Sequence, residues 1–141
     1  MRRKQRTEIL INGSAGIAAA LAQEIKDQYT VTMIEEPSHG LVMVKVRETA
    51  QKSLFYLGEV LVTECKVKIN DQVGVGILKG DESDLAYDLA VIDAAFEARL
   101  KETTAWSAIL LAEADRISEE RKAFDAKVLR TKVNFETMDT D

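Results

Sequence analysis

The segment with the most chemical character is Gly74-Val75-Gly76-Ile77-Leu78-Lys79-Gly80-Asp81, which reads as a strand passing into a helix. Glycines allow close backbone approach to a ligand, and a helix N-terminus attracts phosphate. The spacing matches neither the P-loop nor the dinucleotide fingerprint, and no Lys-Ser/Thr pair follows. Asp81, Glu82 and Asp84 also place carboxylates where an anion would dock, so strand glycines before an acidic helix start are the expectation. The set Asp81, Glu82, Asp84 and Asp88 has the oxygen donors that hold Mg²⁺, yet it equally describes a solvated first turn. His39 lies in Pro37-Ser38-His39-Gly40, where it would titrate near neutrality; with no partner close in sequence it reads as an exposed turn residue. Cys65 alternates with polar neighbours, as a small core residue does.

Composition narrows the classes further. The chain has 141 residues, 19 basic and 24 acidic, for a formal net charge of −5, and 46% of it is hydrophobic. That is the size of a single domain with a real core, here taken as residues 1–141. A single Cys excludes an internal disulfide, and one Cys with one His cannot build a zinc or iron–sulfur site within one chain. Little material remains for a nucleophile–base machine. Arg2, Arg3, Lys4 and Arg6 make the start basic, but the acidic balance argues against nucleic-acid binding. Glu8 and Asn12-Gly13-Ser14 interrupt the early apolar stretch, so neither a leader nor a membrane span is expected, and the location expected is cytoplasmic.

The elements that position these residues follow from periodicity. Lys4 to Ile11 reads as a short helix stopped at Asn12-Gly13. Ser14 then caps a second helix, carrying the stripe Ile17, Leu21, Ile25 and ending near Asp27 or Gln28. Tyr29 to Ile34 and Leu41 to Arg47 read as a hairpin around Pro37–Gly40, with Val42, Val44 and Val46 facing the core. After a polar loop, Glu48 to Lys52, the segment Leu54 to Ile69 is long for one strand, and a bend or bulge near Gly58 would explain it. Asn70-Asp71 offers a tight reversal into Val73 to Lys79. Leu85, Leu89, Ile92, Phe96 and Leu100 then mark a helix, and Thr103-Thr104 an interruption before another helix from Trp106. The fold class is α+β: N-terminal helices, an antiparallel sheet of about four strands, and two longer C-terminal helices.

Three features concern packing or partners. Asp93 sits in an apolar run, either buried and paired or on the flank of the helix stripe. Trp106 reads as an anchor in the core or at an interface. The tail at about 130–141 carries Val133, Phe135 and Met138 among polar residues, as a docking segment would. Trp106, Val133, Phe135 and Met138 are thus the candidate partner-docking residues, with no catalytic, cofactor-binding or metal residues assigned to this chain. The thin apolar contacts of residues 119–132 leave open a stand-alone α+β interaction or ligand-sensing module that dimerises through its C-terminal helices.

Several of these segments, in order, resemble the PhnG subunit of the carbon–phosphorus lyase system: Pro37-Ser38-His39-Gly40-Leu41-Val42-Met43-Val44, Phe55 to Thr63, Val73-Gly74, Gly80-Asp81, Ala90 to Ala94, and Val133-Asn134-Phe135-Glu136-Thr137-Met138. The likeness spans about Leu10 to Met138. Departures from the family pattern are Val75-Gly76, the lack of an Arg between Gly80 and Asp81, Lys132, Asn134 and the absence of a basic ending. The resemblance implies phosphonate metabolism in a complex with PhnH, PhnI and PhnJ, each subunit in two copies. That complex, with PhnL, couples a phosphonate to C1′ of the ATP ribose and releases adenine. It implies nucleosidase chemistry on PhnI and an iron–sulfur cluster on PhnJ, leaving this chain no cofactor and a supporting role.

Overall fold

The computed structural model describes residues 2–47 and 54–139. The elements are α1 (Arg3–Asn12), α2 (Ala15–Gln28), β1 (Thr32–Arg47), β2 (Leu54–Ile69), β3 (Gln72–Lys79), α3 (Ser83–Glu97) and α4 (Glu102–Asp139). The fold is α+β, with an antiparallel sheet of three strands in the order β1-β2-β3, one fewer than the periodicity suggests.

The difference lies at Pro37-Ser38-His39-Gly40. These residues do not turn the chain; they belong to one sixteen-residue strand whose register against β2 shifts between Met33 and Glu35 and again between Glu35 and Ser38. β1 is an edge strand, so a Pro without an N–H leaves no ladder bond unmade on its open side, and the bulged stretch absorbs it. The expected irregularity near Gly58 is present: Val44 pairs with Gly58 and Lys45 with Tyr56, leaving Leu57 as the extra residue. Asn70 and Asp71 turn β2 into β3 with φ of 49° and 65°, the left-handed pair a two-residue hairpin needs.

The core forms around α3. Thr63, Cys65, Val67 and Ile69 of β2 face it from one side, with Ala18, Leu21, Ala22 and Ile25 of α2 on the other. Ala86, Leu89, Ala90, Val91, Ile92, Ala94 and Ala95 are all buried, so α3 is enclosed nearly all round rather than along one stripe. Its small side chains let the sheet approach very closely. A Cβ on Gly74 would fall 2.2 Å from the Ala94 amide nitrogen, and one on Gly76 would fall 2.0 Å from the Ala86 carbonyl oxygen. α3 ends through Arg99 at φ 54°, where the Leu100 N–H donates to the Ala95 carbonyl. The break therefore falls at Ala98–Lys101, before Thr103, whose hydroxyl donates to the Leu100 carbonyl at 2.7 Å.

Ser14 stands at the start of α2 but does not cap it through its hydroxyl. Its N–H instead donates to the Glu113 carboxylate of α4 at 3.1 Å, tying the α1–α2 corner to the last helix. Hydrogen bonds from Arg116 and from Ser14, set against partial burial, hold Glu113 below the usual carboxylate range. A depressed folded value means that this contribution to stability is present above the unfolded value of 4.5 and is lost as pH falls through the folded one. Glu113→Gln is therefore expected to lower Tm at pH 7. The gap from the parent chain should narrow in calorimetric scans as pH falls below the unfolded value of 4.5 and through the folded one.

From Gly40 and Val62 outward, β1 and β2 leave the body as a two-stranded ribbon. β3 stops at Lys79 opposite Val62, so only β1 and β2 continue beyond it. Val42 is 45% exposed, contrary to the core face expected of it, and Leu41 on the opposite face is 65% exposed. The side chain of Val46 lies outside the described residues. Among the described residues no helix is long and apolar enough to cross a membrane.

Candidate functional site

Most of the residues with reactive character are used internally; of the acidic set, Asp81 and Asp88 are paired, while the side chains of Glu82 and Asp84 make no hydrogen bond or ion pair among the described residues. Gly74 and Gly76 are buried beneath the backbone of α3, so that segment forms a sheet–helix contact and no phosphate cradle. At its end, the Thr63 hydroxyl donates to the Gly80 carbonyl at 2.5 Å and accepts the Glu82 N–H at 3.0 Å, satisfying an otherwise free amide at the start of α3. Asp81 lies 2.6 Å from Nε2 of His39. His39 is thus a strand residue paired across the sheet rather than an unpartnered turn residue; the two are 42 positions apart, beyond the reach of local spacing. Asp88 pairs with Lys26 at 3.5 Å, and burial pushes its carboxyl up against the pull of that Lys. Cys65 is fully buried, its thiol pushed up by burial and by Glu35, and its Sγ lies 3.3 Å from the Glu35 carbonyl oxygen; it is a core residue and no nucleophile.

Asp93 is buried. It accepts from Arg3 Nε at 2.8 Å, from Arg3 Nη2, from Arg6 Nη2 at 3.2 Å and from the Val75 N–H at 2.9 Å. Arg6 lies 4.1 Å over the centre of the Phe96 ring. Two of the four basic residues at the start thus belong to an internal cluster that locks α1 and β3 to α3. The signal for it was present in two places, an acid within an apolar helix and bases on a short first helix, with nothing in the spacing to join them.

Trp106, a docking candidate that reads equally as a core anchor, lies in the core. Its ring is 1% exposed, packs edge-on against Phe96 at 5.9 Å and donates from Nε1 to Glu24 at 3.0 Å. This chain's own core takes up the ring, which holds α4 in place behind the exposed surface. The tail expected at about 130–141 is helical through Asp139 as the end of α4, and the side chains of Val133, Phe135 and Met138 lie outside the described residues.

Two elements carry large apolar side chains that face outward. On the ribbon these are Leu41, Val42, Met43 and Leu61; on α4 they are Phe124, Val128 and Leu129, with Phe124 66% exposed. Sequence periodicity missed the ribbon because it assigns one face of every alternating strand to a core. Apolar surface rimmed by charge, on elements that project from the body, suits contact with other proteins rather than turnover of a substrate.

No curated protein matches the chain. The family model described as phosphonate metabolism protein PhnG matches residues 1–139. With nearly the whole length matched, the chain belongs to the PhnG family of phosphonate metabolism proteins.

Proposed function

We propose that this chain is a non-catalytic structural subunit of the carbon–phosphorus lyase core complex, working in the cytoplasm beside PhnH, PhnI and PhnJ. In this reading it supports transfer of an alkylphosphonate to C1′ of the ATP ribose with release of adenine. ATP and the iron–sulfur cluster are handled by the partner chains, and this chain supplies none of the reacting groups. Membership of the PhnG family supports the metabolic setting. The observation that carries the structural role is the ribbon, whose exposed apolar residues on both faces this domain leaves uncovered.

The test is co-expression with the neighbouring phosphonate genes, followed by purification and an assay of phosphonate-dependent adenine release. A stable assembly with that activity is the expected result, and failure of both would sink the reading. Leu41→Asp with Met43→Asp should leave the circular dichroism spectrum and Tm of the chain nearly unchanged, because neither side chain is in the core. The same pair should abolish assembly, and an unaffected complex would remove the ribbon from the interface. Removing the residues from Val133 onward should weaken assembly without unfolding the domain.

A further inference from the structure

We infer that the open edge of β1, from Ser38 to Val44, takes up an extended segment of a partner protein as a fourth, antiparallel strand. This deepens the proposed role, on which it rests for the partner being a neighbouring subunit, by naming how the ribbon is engaged. The direction of each backbone group can be traced across the sheet. The Gly80 N–H donates to the Leu61 carbonyl at 2.8 Å, so the backbone groups of Leu61 point toward β3 and away from β1. Leu61 lies opposite Leu41, Thr63 opposite His39 and Glu59 opposite Met43. Successive residues of an antiparallel ladder alternate. The N–H and C=O groups of His39, Leu41 and Met43 therefore point away from β2, and those of Gly40 and Val42 point into the ladder. The same alternation carried to β3 turns the Val75 N–H outward, where the Asp93 carboxylate accepts it.

The two open edges of the sheet differ. That of β3 is closed at Val75 by Asp93. On β1 the devices that blunt an exposed edge stand only at the ends: register shifts between Met33 and Ser38 with Glu35, Glu36 and Pro37, then a shift at Val44/Lys45. Between them, Ser38 to Val44 pairs with Glu64 to Gly58 without a break and holds no proline and no Lys, Arg, Asp or Glu. His39 reaches back across β2 to Asp81, which leaves the edge clear. Among the described residues no hydrogen bond reaches the outward groups of Leu41 and Met43.

Charge at the two ends selects the incoming segment and its direction. Glu36 and Lys45 are both exposed, and both are unpaired among the described residues. An antiparallel segment runs its first residues past Lys45 and its last past Glu36. It therefore carries an acidic residue near its N-terminal end and a basic one near its C-terminal end. Apolar residues between them lie beside Leu41 and Met43 on one face and Val42 on the other, all three exposed. Three residues of β1 that each exchange two backbone bonds give the segment about six hydrogen bonds, and its side chains supply the specificity.

Two measurements test this. Hydrogen exchange in the free chain should find the Leu41 and Met43 amides exchanging faster than those of Gly40 and Val42, and protected by about tenfold or more in the assembly with the phosphonate subunits. A peptide of about nine residues, alternating Val and Thr with Glu at its N-terminal end and Lys at its C-terminal end, should bind the full chain in fluorescence anisotropy. Exchanging its two charged residues should weaken binding by about threefold or more. Leu41→Pro removes an outward N–H and no ladder bond, so it should keep the circular dichroism spectrum and weaken peptide binding by about tenfold or more. Leu41→Val, which keeps the N–H, should stay within about threefold of the parent chain. A peptide that does not bind, binds equally in both charge orders, or binds Leu41→Pro as it binds the parent overturns the inference. So does a Leu41→Pro chain that loses its fold, because that N–H would then belong to the ladder, and so does a chain that fills this edge with a second copy of itself. A Leu41→Pro chain that still joins the phosphonate subunits overturns the strand addition and leaves the proposed function standing. Peptide binding with the expected pattern, in a chain that never joins them, supports the strand addition and sinks the proposed function.

Discussion

Gly76→Ala is expected to cost at least about 3 kcal/mol, a large part of the roughly 5–15 kcal/mol that holds a domain of this kind together. The added methyl carbon would fall 2.0 Å from the Ala86 carbonyl oxygen and 2.7 Å from the Ala90 amide nitrogen. Both are backbone atoms of α3, which cannot rotate aside as a side chain would, so the helix must lift off the sheet. Lifting α3 loosens the contacts of Leu89, Ile92 and the alanine rows with everything around them, because α3 is the element the other layers share. Gly40→Ala is the control, since an added carbon there meets nothing within 4 Å, and a change within about 0.5 kcal/mol is expected. Urea denaturation of the two variants beside the parent chain decides the matter. Ala86→Gly should not rescue Gly76→Ala, because the obstructing atoms are not those of the Ala86 side chain. A Gly76→Ala variant within about 1 kcal/mol of the parent would mean that the sheet and α3 are less tightly joined than the structure has them.

The two glycines also show how much of the molecule was legible beforehand. Their reading as strand glycines before an acidic helix start was right because local rules suffice there: the carboxylates at and just before the start of α3 and the alternation of Cys65, Val67 and Ile69 are both short-range patterns. The Asn70-Asp71 reversal was legible for the same reason. Reading failed where tertiary context reversed a local signal. Pro37-Ser38-His39-Gly40 has the composition of a turn, yet pairing with a sixteen-residue β2 keeps it extended and converts the turn signal into a bulge. Val42 has the alternation of a core residue, but its pairing with Val60 puts it on the sheet face opposite the one where Thr63 and Cys65 meet α3, so no layer covers it. The side-chain pairs were invisible for a plainer reason. His39 with Asp81 and Arg3 with Asp93 are 42 and 90 residues apart, and neither distance belongs to a periodic pattern.

Removing the Asp93 carboxylate should be the most damaging change to a polar group. Its side chain is 8% exposed and that of Arg6 10%, so Asp93→Ala leaves a guanidinium in the interior with no counter-charge. Breaking one side of a buried pair costs about 3–5 kcal/mol. The Val75 N–H makes the loss worse. β3 pairs with β2 on one side only, and this amide on its open side is satisfied by Asp93 alone among its contacts on the described residues. Arg3 adds less, because its side chain is 53% exposed and water screens its attraction. Asp93→Asn separates these contributions: an amide oxygen can still accept the Val75 N–H, while the charge is gone, so its cost should lie between that of Asp93→Ala and zero. A cycle with Arg6→Met provides the decisive comparison. In the Asp93→Ala background Arg6→Met should cost little or even restore stability, since it removes the uncompensated charge, whereas in the parent chain it should be clearly destabilising. Additive effects of the two substitutions in urea denaturation would show that Arg6 and Asp93 act independently. The anchoring of α1 would then have to come from the apolar contacts of Ile9 and Leu10 instead.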